Sequence, residues 1–309
     1  MKHVLPLRIR LCLKLVMPGG LAVLTALAAW SSALGQSSEP AMEKRIVFGP
    51  ETAGQWSAAE SSLEASTRYT RTGQPVLHWH VTVDHFGGEA KYPIGWPRTS
   101  RTLREAASRD WSAWDYLQLW VYTDASRDAL PREPVGLALH TPDKEGAYHR
   151  PLQELKKGVW TQIRIPLTAV PRHQDVRLMQ FHISESNYRH QDQLDFYFDN
   201  IVLLRYAQPT VLEFAAENAV MFADAKRVPV RFNLAGVKPG ERVDVSCELK
   251  AGGEVVARSN VKAMRGLQRV AFELGAPTMK PGRYQIEARA AGGTETATAV
   301  VRFVESPWK

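Results

Sequence analysis

His78 and His80 flank Trp79, with Asp84 four residues beyond the second histidine. On a β-strand that spacing turns both imidazoles to one face, where they can share a metal ion. His140 and His182 could complete such a centre only from adjacent strands. The acids are less well placed for hydrolysis. Asp195 and Asp199 lie about 13 Å apart along one strand face, beyond the ~5–10 Å that separates the carboxylates of a glycosidase, and Glu185 has no evident partner. A different chemistry suits Gln118, Trp120, Tyr122 and Gln180 together with His78, His80, His140 and His182. Flat rings stack on the C–H faces of pyranose sugars, and amides and imidazoles serve hydroxyls as donors and acceptors. No GxSxG, HExxH, Walker or GxGxxG pattern occurs in a fitting context, so the sequence argues against a self-contained enzyme.

These side chains need strands to aim them. From residue 60 onward the apolar period is mostly two, in short runs of Val, Ile, Leu and aromatics broken by Gly, Pro, Asp and Asn, which predicts an all-β fold. Strands are expected at 62–69, 76–83, 116–123, 135–141, 160–165, 177–184 and 194–204, with a helical turn within 101–109. About seven more follow in the second half, at 211–215, 228–234, 242–249, 254–258, 268–274, 283–290 and 296–304. Alternation sets Leu77, Trp79, Leu117, Leu119, Val121, Leu137, Leu139, Met179 and Phe181 inward. The opposite positions carry Trp, Tyr, His and Gln where a solvated face would carry Lys, Glu, Thr and Ser. They form either a ligand face or a surface covered by other protein. The loop at 85–98, with Tyr92 and Trp96, and Tyr188 could wall a cleft or cap the sandwich.

The 309 residues predict about two domains, with a boundary at 206–209 where Pro209 interrupts the ladder. Formal charge is +7, but the first 35 residues hold Lys2, Arg8, Arg10 and Lys14 and no acid. The remainder, at +3, has no concentration of bases that would mark a nucleic-acid binder. Those 35 residues run from spaced bases through an apolar stretch broken by Pro18, Gly19 and Gly20 to Ala33 and Gly35. This reads as a secretory signal cleaved before Gln36, giving a secreted or periplasmic protein with no membrane association afterwards. Only Cys247 remains after cleavage, so no intramolecular disulfide is expected. Its alternation with Val243, Val245 and Leu249 makes it a core thiol.

The segments 114–122 (WDYLQLWVY), 159–167 (VWTQIRIPL), 183–186 (ISES) and 194–201 (LDFYFDNI), in that order, carry a family likeness. Over residues 44 to 205 the chain resembles the jelly-roll, galactose-binding-like carbohydrate-binding modules of secreted bacterial glycoside hydrolases. The resemblance implies polysaccharide or oligosaccharide bound on a concave sheet, at positions matching Trp120, Tyr122, Gln118, Gln180 and His182. It also implies a structural calcium, for which Asp199 matches the late-strand aspartate and Glu51 matches the early acid poorly. The second half, with Lys280-Pro281-Gly282-Arg283-Tyr284, is similar to the immunoglobulin-like spacers of such enzymes. The expected architecture is therefore a signal at 1–35, a jelly-roll β-sandwich at 36–206 and an immunoglobulin-like β-sandwich at 207–309. The implied role is non-catalytic carbohydrate binding, accessory to a glycoside hydrolase. Two alternatives stay open: a jelly-roll metal enzyme or lyase centred on His78, His80, His140 and His182, and a protein-binding scaffold. The first rests on the HxH, which resembles the first metal motif of a cupin, although residues 93–98 lack the histidine of the second.

Overall fold

The computed structural model describes residues 40–87, 95–142, 148–275 and 279–308. The leader lies outside the described residues. The first eleven strands are β1 (Met42–Phe48), β2 (Trp56–Ala59), β3 (Ser62–Ser66), β4 (Val76–Thr82), β5 (Arg98–Thr102), β6 (Tyr116–Ala125), β7 (Gly136–His140), β8 (Tyr148–Pro151), β9 (Thr161–Pro166), β10 (Leu178–His182) and β11 (Gln193–Tyr206). A single helical turn, α1 (Ala106–Arg109), precedes β6. The strands form two antiparallel sheets, β3-β4-β11-β6-β9 with β1 on the end of β11, and β2-β5-β10-β7-β8.

Trp79, Leu117, Leu119 and Val121 from the first sheet and Leu137, Leu139, Met179 and Phe181 from the second meet in one core, each fully buried. The fold is all-β, as alternation predicts, because each strand buries one face and wets the other. Strand β11 serves two partners in turn. Residues 193–198 pair with β4 and residues 201–206 with β1, and a bulge between them puts Asn200 in the left-handed region at φ 48°. Asparagine tolerates that conformation better than most residues, and the bulge bends the strand from one neighbour to the other.

The remaining strands are β12 (Thr210–Ala216), β13 (Val220–Phe222), β14 (Arg227–Ala235), β15 (Val243–Ala251), β16 (Glu254–Ala263), β17 (Gly266–Glu273), β18 (Gly282–Ala290) and β19 (Ala297–Val304). They make a three-stranded sheet, β12-β14-β17, and a five-stranded one, β13-β19-β18-β15-β16, around a second core that contains the buried Cys247. Burial pushes the Cys247 thiol up to about 11, which keeps it protonated and unreactive at neutral pH. No helix among the described residues is long and apolar enough to cross a membrane.

Five strands were not anticipated: β1, β2, β5, β8 and β13. Their sequences explain it. Strand β5 reads Arg-Thr-Ser-Arg-Thr, with no apolar alternation, and β2, β8 and β13 have three or four residues each. Each is held by its neighbours' hydrogen bonds rather than by its own pattern.

Candidate functional site

The predicted site residues occupy two faces with the core between them. Gln118, Trp120, Tyr122, His78 and His80 lie on the outer face of the first sheet, while His140, Gln180 and His182 lie on the outer face of the second. A centre of His78, His80, His140 and His182 therefore does not assemble. Alternation separates inside from outside but says nothing about which sheet a strand joins.

On the first sheet, register places Glu64, His78, Tyr197 and Tyr122 in one cross-strand row and Ser62, His80, Asp195 and Asp124 in the next. Asp195 Oδ1 is 2.7 Å from His78 Nε2 and 2.9 Å from His80 Nδ1, and Glu64 Oε1 is 3.0 Å from His78 Nδ1. Burial alone would lower the His78 pKa, but hydrogen bonds to Asp195 and Glu64 and their charges outweigh it and raise it. Burial likewise opposes the Asp195 charge, and the two imidazoles outweigh that, holding its carboxyl below the usual range. Asp84 does not join this group; it faces His190 at 3.6 Å. Among the described residues, His78, His80 and Asp195 are the only group of three such side chains close enough to share a metal ion.

The Trp120 indole points outward, with Leu119 fully buried behind it, yet it does not floor an open trough. The connection at 67–75 folds across this face. Arg71 sets its guanidinium 3.5 Å from the Trp120 ring centroid, and Tyr69 stacks on Tyr122 at 4.3 Å. Gln118 is engaged as well, its Oε1 accepting from Gln162 Nε2 at 2.6 Å and from Arg164 Nη2 at 2.8 Å. The expectation of free stacking and amide groups on this face is corrected: the same rings and amides bind other parts of the protein.

On the second sheet, Ser57, Ser100, Gln180, Ala138 and His149 form one outer row, and Arg98, His182, Gly136 and Pro151 run through the next. His149 stands between His140 at 5.8 Å and His182 at 6.5 Å. A Cβ on Gly136 would lie 2.6 Å from His182 Cε1 and Nε2, so the ring reclines on the β7 backbone where only glycine leaves room. Burial lowers the pKa of His182 and of His140, and the neighbouring imidazoles lower both further. Both rings are consequently neutral at pH 7. His140 Nε2 and His182 Nδ1 are buried with no hydrogen-bond partner among the described residues. A cavity of about 150 Å³ opens here, lined by Gly136, His149, Arg150, Pro151 and His182 among others. Trp96, half exposed, sets its ring 5.8 Å from that of His182. Gln180 is itself buried in the floor of this face. His149 escaped sequence reasoning because β8 is four residues long and the one ring it packs against the core, Tyr148, is too little to reveal a phase.

The other loop candidates resolve differently. Tyr188 is buried, and its hydroxyl donates to the Pro134 carbonyl at 2.6 Å, so it caps the sandwich. Tyr92 and the side chain of Glu51 lie outside the described residues. Asp199 is buried with Oδ2 unpartnered, and burial lifts its pKa. An orphan carboxylate oxygen of this kind matches the hard oxygen ligands that calcium takes.

No family model matches the chain, and no curated protein matches it. Among solved structures it is similar to the glycoside hydrolase domain of Endo-D from Streptococcus pneumoniae, at 12% identity and a TM-score of 0.27 over 80% of this chain. The chain spans 37% of that structure's length. It is also similar to the C-terminal family 22 carbohydrate-binding module of Clostridium thermocellum Xyn10B, at 12% identity and a TM-score of 0.32, covering 48% of this chain and 85% of that one. A third is the tandem family 22 module structure from Paenibacillus barcinonensis Xyn10C, at 8% identity and a TM-score of 0.32, covering 84% of this chain and 85% of that one.

Proposed function

We propose that this is an exported, non-catalytic carbohydrate-binding protein that holds an oligosaccharide or polysaccharide on the outer face of the β2-β5-β10-β7-β8 sheet. The observation that carries this reading is half-exposed Trp96 beside His182, a neutral imidazole on the wall of a cavity that His149 also lines. An indole offers a stacking surface for a pyranose, and a neutral imidazole both accepts from and donates to hydroxyls. In this reading the signal at 1–35 is removed before Gln36, Asp199 contributes to a structural calcium site, and residues 207–309 act as an immunoglobulin-like spacer or docking surface for a glycoside hydrolase. Affinity is on the order of micromolar to millimolar, because hydroxyl desolvation offsets much of the contact energy.

A glycan array identifies the sugar, and affinity electrophoresis in gels containing that polysaccharide tests the site. Trp96→Ala and His182→Ala should each abolish retardation, whereas Trp120→Ala should keep it. Retardation that follows Trp120 instead would move the site to the first sheet, and a wild-type chain retarded by no glycan would end the reading.

Acid should weaken binding. The folded pKa values of His140 and His182 lie below their ordinary value. The stability tied to their neutral forms is thus fully present above about pH 6.5 and is lost as pH falls through those depressed values. Protonation also removes the acceptor nitrogens. Retardation should therefore be strong at about pH 7 and fall only below the ordinary histidine value of about 6.5, in step with the titration of these rings followed by NMR; retardation that stays constant while the rings protonate would exclude neutral histidines from the contact.

A further inference from the structure

We propose that His78 Nε2, His80 Nδ1 and Asp195 bind one divalent transition-metal ion of the zinc class on the outer face of the first sheet, opposite the carbohydrate face. Two adjacent strands supply the arrangement. His78 and His80 are two apart on β4 and so project on the same side, and Asp195 on β11 is the cross-strand partner of His80. All three donor atoms lie within 4.8 Å of one another.

The outer nitrogens of both rings are already engaged. His78 Nδ1–H donates to Glu64 Oε1 at 3.0 Å, and His80 Nε2 lies 3.4 Å from Thr82 Oγ1, whose hydroxyl donates onward to Gln193 Oε1 at 2.9 Å. In the ion-free protein those inner nitrogens carry the protons that Asp195 accepts, and an entering cation would displace them while Glu64 and Thr82 stay against the outer nitrogens, the outer-shell pattern of histidine metal ligands. Tyr197 stacks flat on His78, with centroids 4.4 Å apart and planes 4° apart, which fixes the ring.

Charge points the same way. Asp195 is directly opposite Asp124 across the β11–β6 pair, and like charges at facing positions are unfavourable without a cation. The donor set of two imidazoles and one carboxylate selects zinc-class ions over calcium, which prefers oxygen throughout. The present N···O separations of 2.7 and 2.9 Å need to open by about 0.5–0.7 Å to span a tetrahedral ion with ligands near 2.0–2.2 Å. Three protein donors leave a fourth position to water.

The test uses the full chain, stripped with chelator and titrated with zinc chloride by calorimetry, with metal content measured after dialysis. One equivalent of zinc should bind. His80→Ala and Asp195→Asn should remove that saturable phase, and Glu64→Gln should weaken it by about 10–100-fold by releasing the His78 tautomer. Glu64 is exposed, so its variant remains folded and informative, and circular dichroism checks the other two. Calcium chloride should not displace the zinc. Absence of stoichiometric uptake, an isotherm unchanged in His80→Ala, or uptake lost in His149→Ala but kept in His80→Ala would each overturn the proposal.

Discussion

Replacing Asp115 by alanine should lower the unfolding free energy by about 3–5 kcal/mol, the cost expected when one member of a buried ion pair is removed and the other stays. Asp115 precedes β6 and its side chain is buried. Oδ1 lies 2.9 Å from the guanidinium of Arg265, in the turn between β16 and β17. Oδ2 accepts the backbone N–H of Tyr206 at 2.9 Å and that of Gly236 at 3.2 Å. Arg265 also donates to the Ser112 carbonyl. Alanine would strand a largely buried guanidinium, whose pKa burial already lowers, together with two amides. Because these bonds tie the first core to the second, urea unfolding of Asp115→Ala should also split into two transitions. A single transition with a loss below about 1 kcal/mol would place this pair among ordinary surface salt bridges.

Backbone contacts reinforce the same joint. Gly236 has φ 72°, and a Cβ there would stand 2.2 Å from the Gln208 carbonyl oxygen; a Cβ on Gly293 would stand 2.3 Å from that of Pro209. The chain at 206–209 is thus gripped from both sides by positions that only glycine can fill. The sequence shows a short connection ending in Pro209, but not this grip, because the gripping residues are remote from it and carry no side chain to advertise their role.

The same limit governs the site. Period-two alternation located Trp79, Leu119 and Phe181 inside and His78, Trp120 and His182 outside, since burial of one face is a property of each strand alone. Which sheet a strand joins depends on pairing between distant segments, and β5 and β8, which complete the second sheet, have little apolar pattern to announce themselves. Coverage was equally hidden. Nothing in residues 67–75 says that Arg71 will lie on Trp120 or that Tyr69 will stack on Tyr122. Metal geometry was more legible. The HxH spacing was visible, whereas Asp195 emerged as its third member only through the β4–β11 register.

Neighbouring substitutions on β4 should therefore have opposite consequences. Trp79→Ala should cost about 3–5 kcal/mol, the range for emptying a large aromatic from a packed core. The indole is fully buried, stacks on Phe196 at 5.2 Å and donates Nε1–H to Ser61 Oγ at 2.8 Å. Its loss leaves a void between the sheets and removes the donor to Ser61, whose hydroxyl keeps its bond to the Ala59 carbonyl at 2.9 Å. His80→Ala, one residue on, faces solvent and should change stability by at most about 1 kcal/mol in metal-free protein, because a partly exposed ion pair contributes little. Paired thermal melts in the presence of chelator read the difference directly. Equal losses at the two positions would mean that β4 does not alternate between core and surface as described. Both the zinc ligands and the separation of the two outer faces would then have to be abandoned, since each depends on which way this strand presents its side chains.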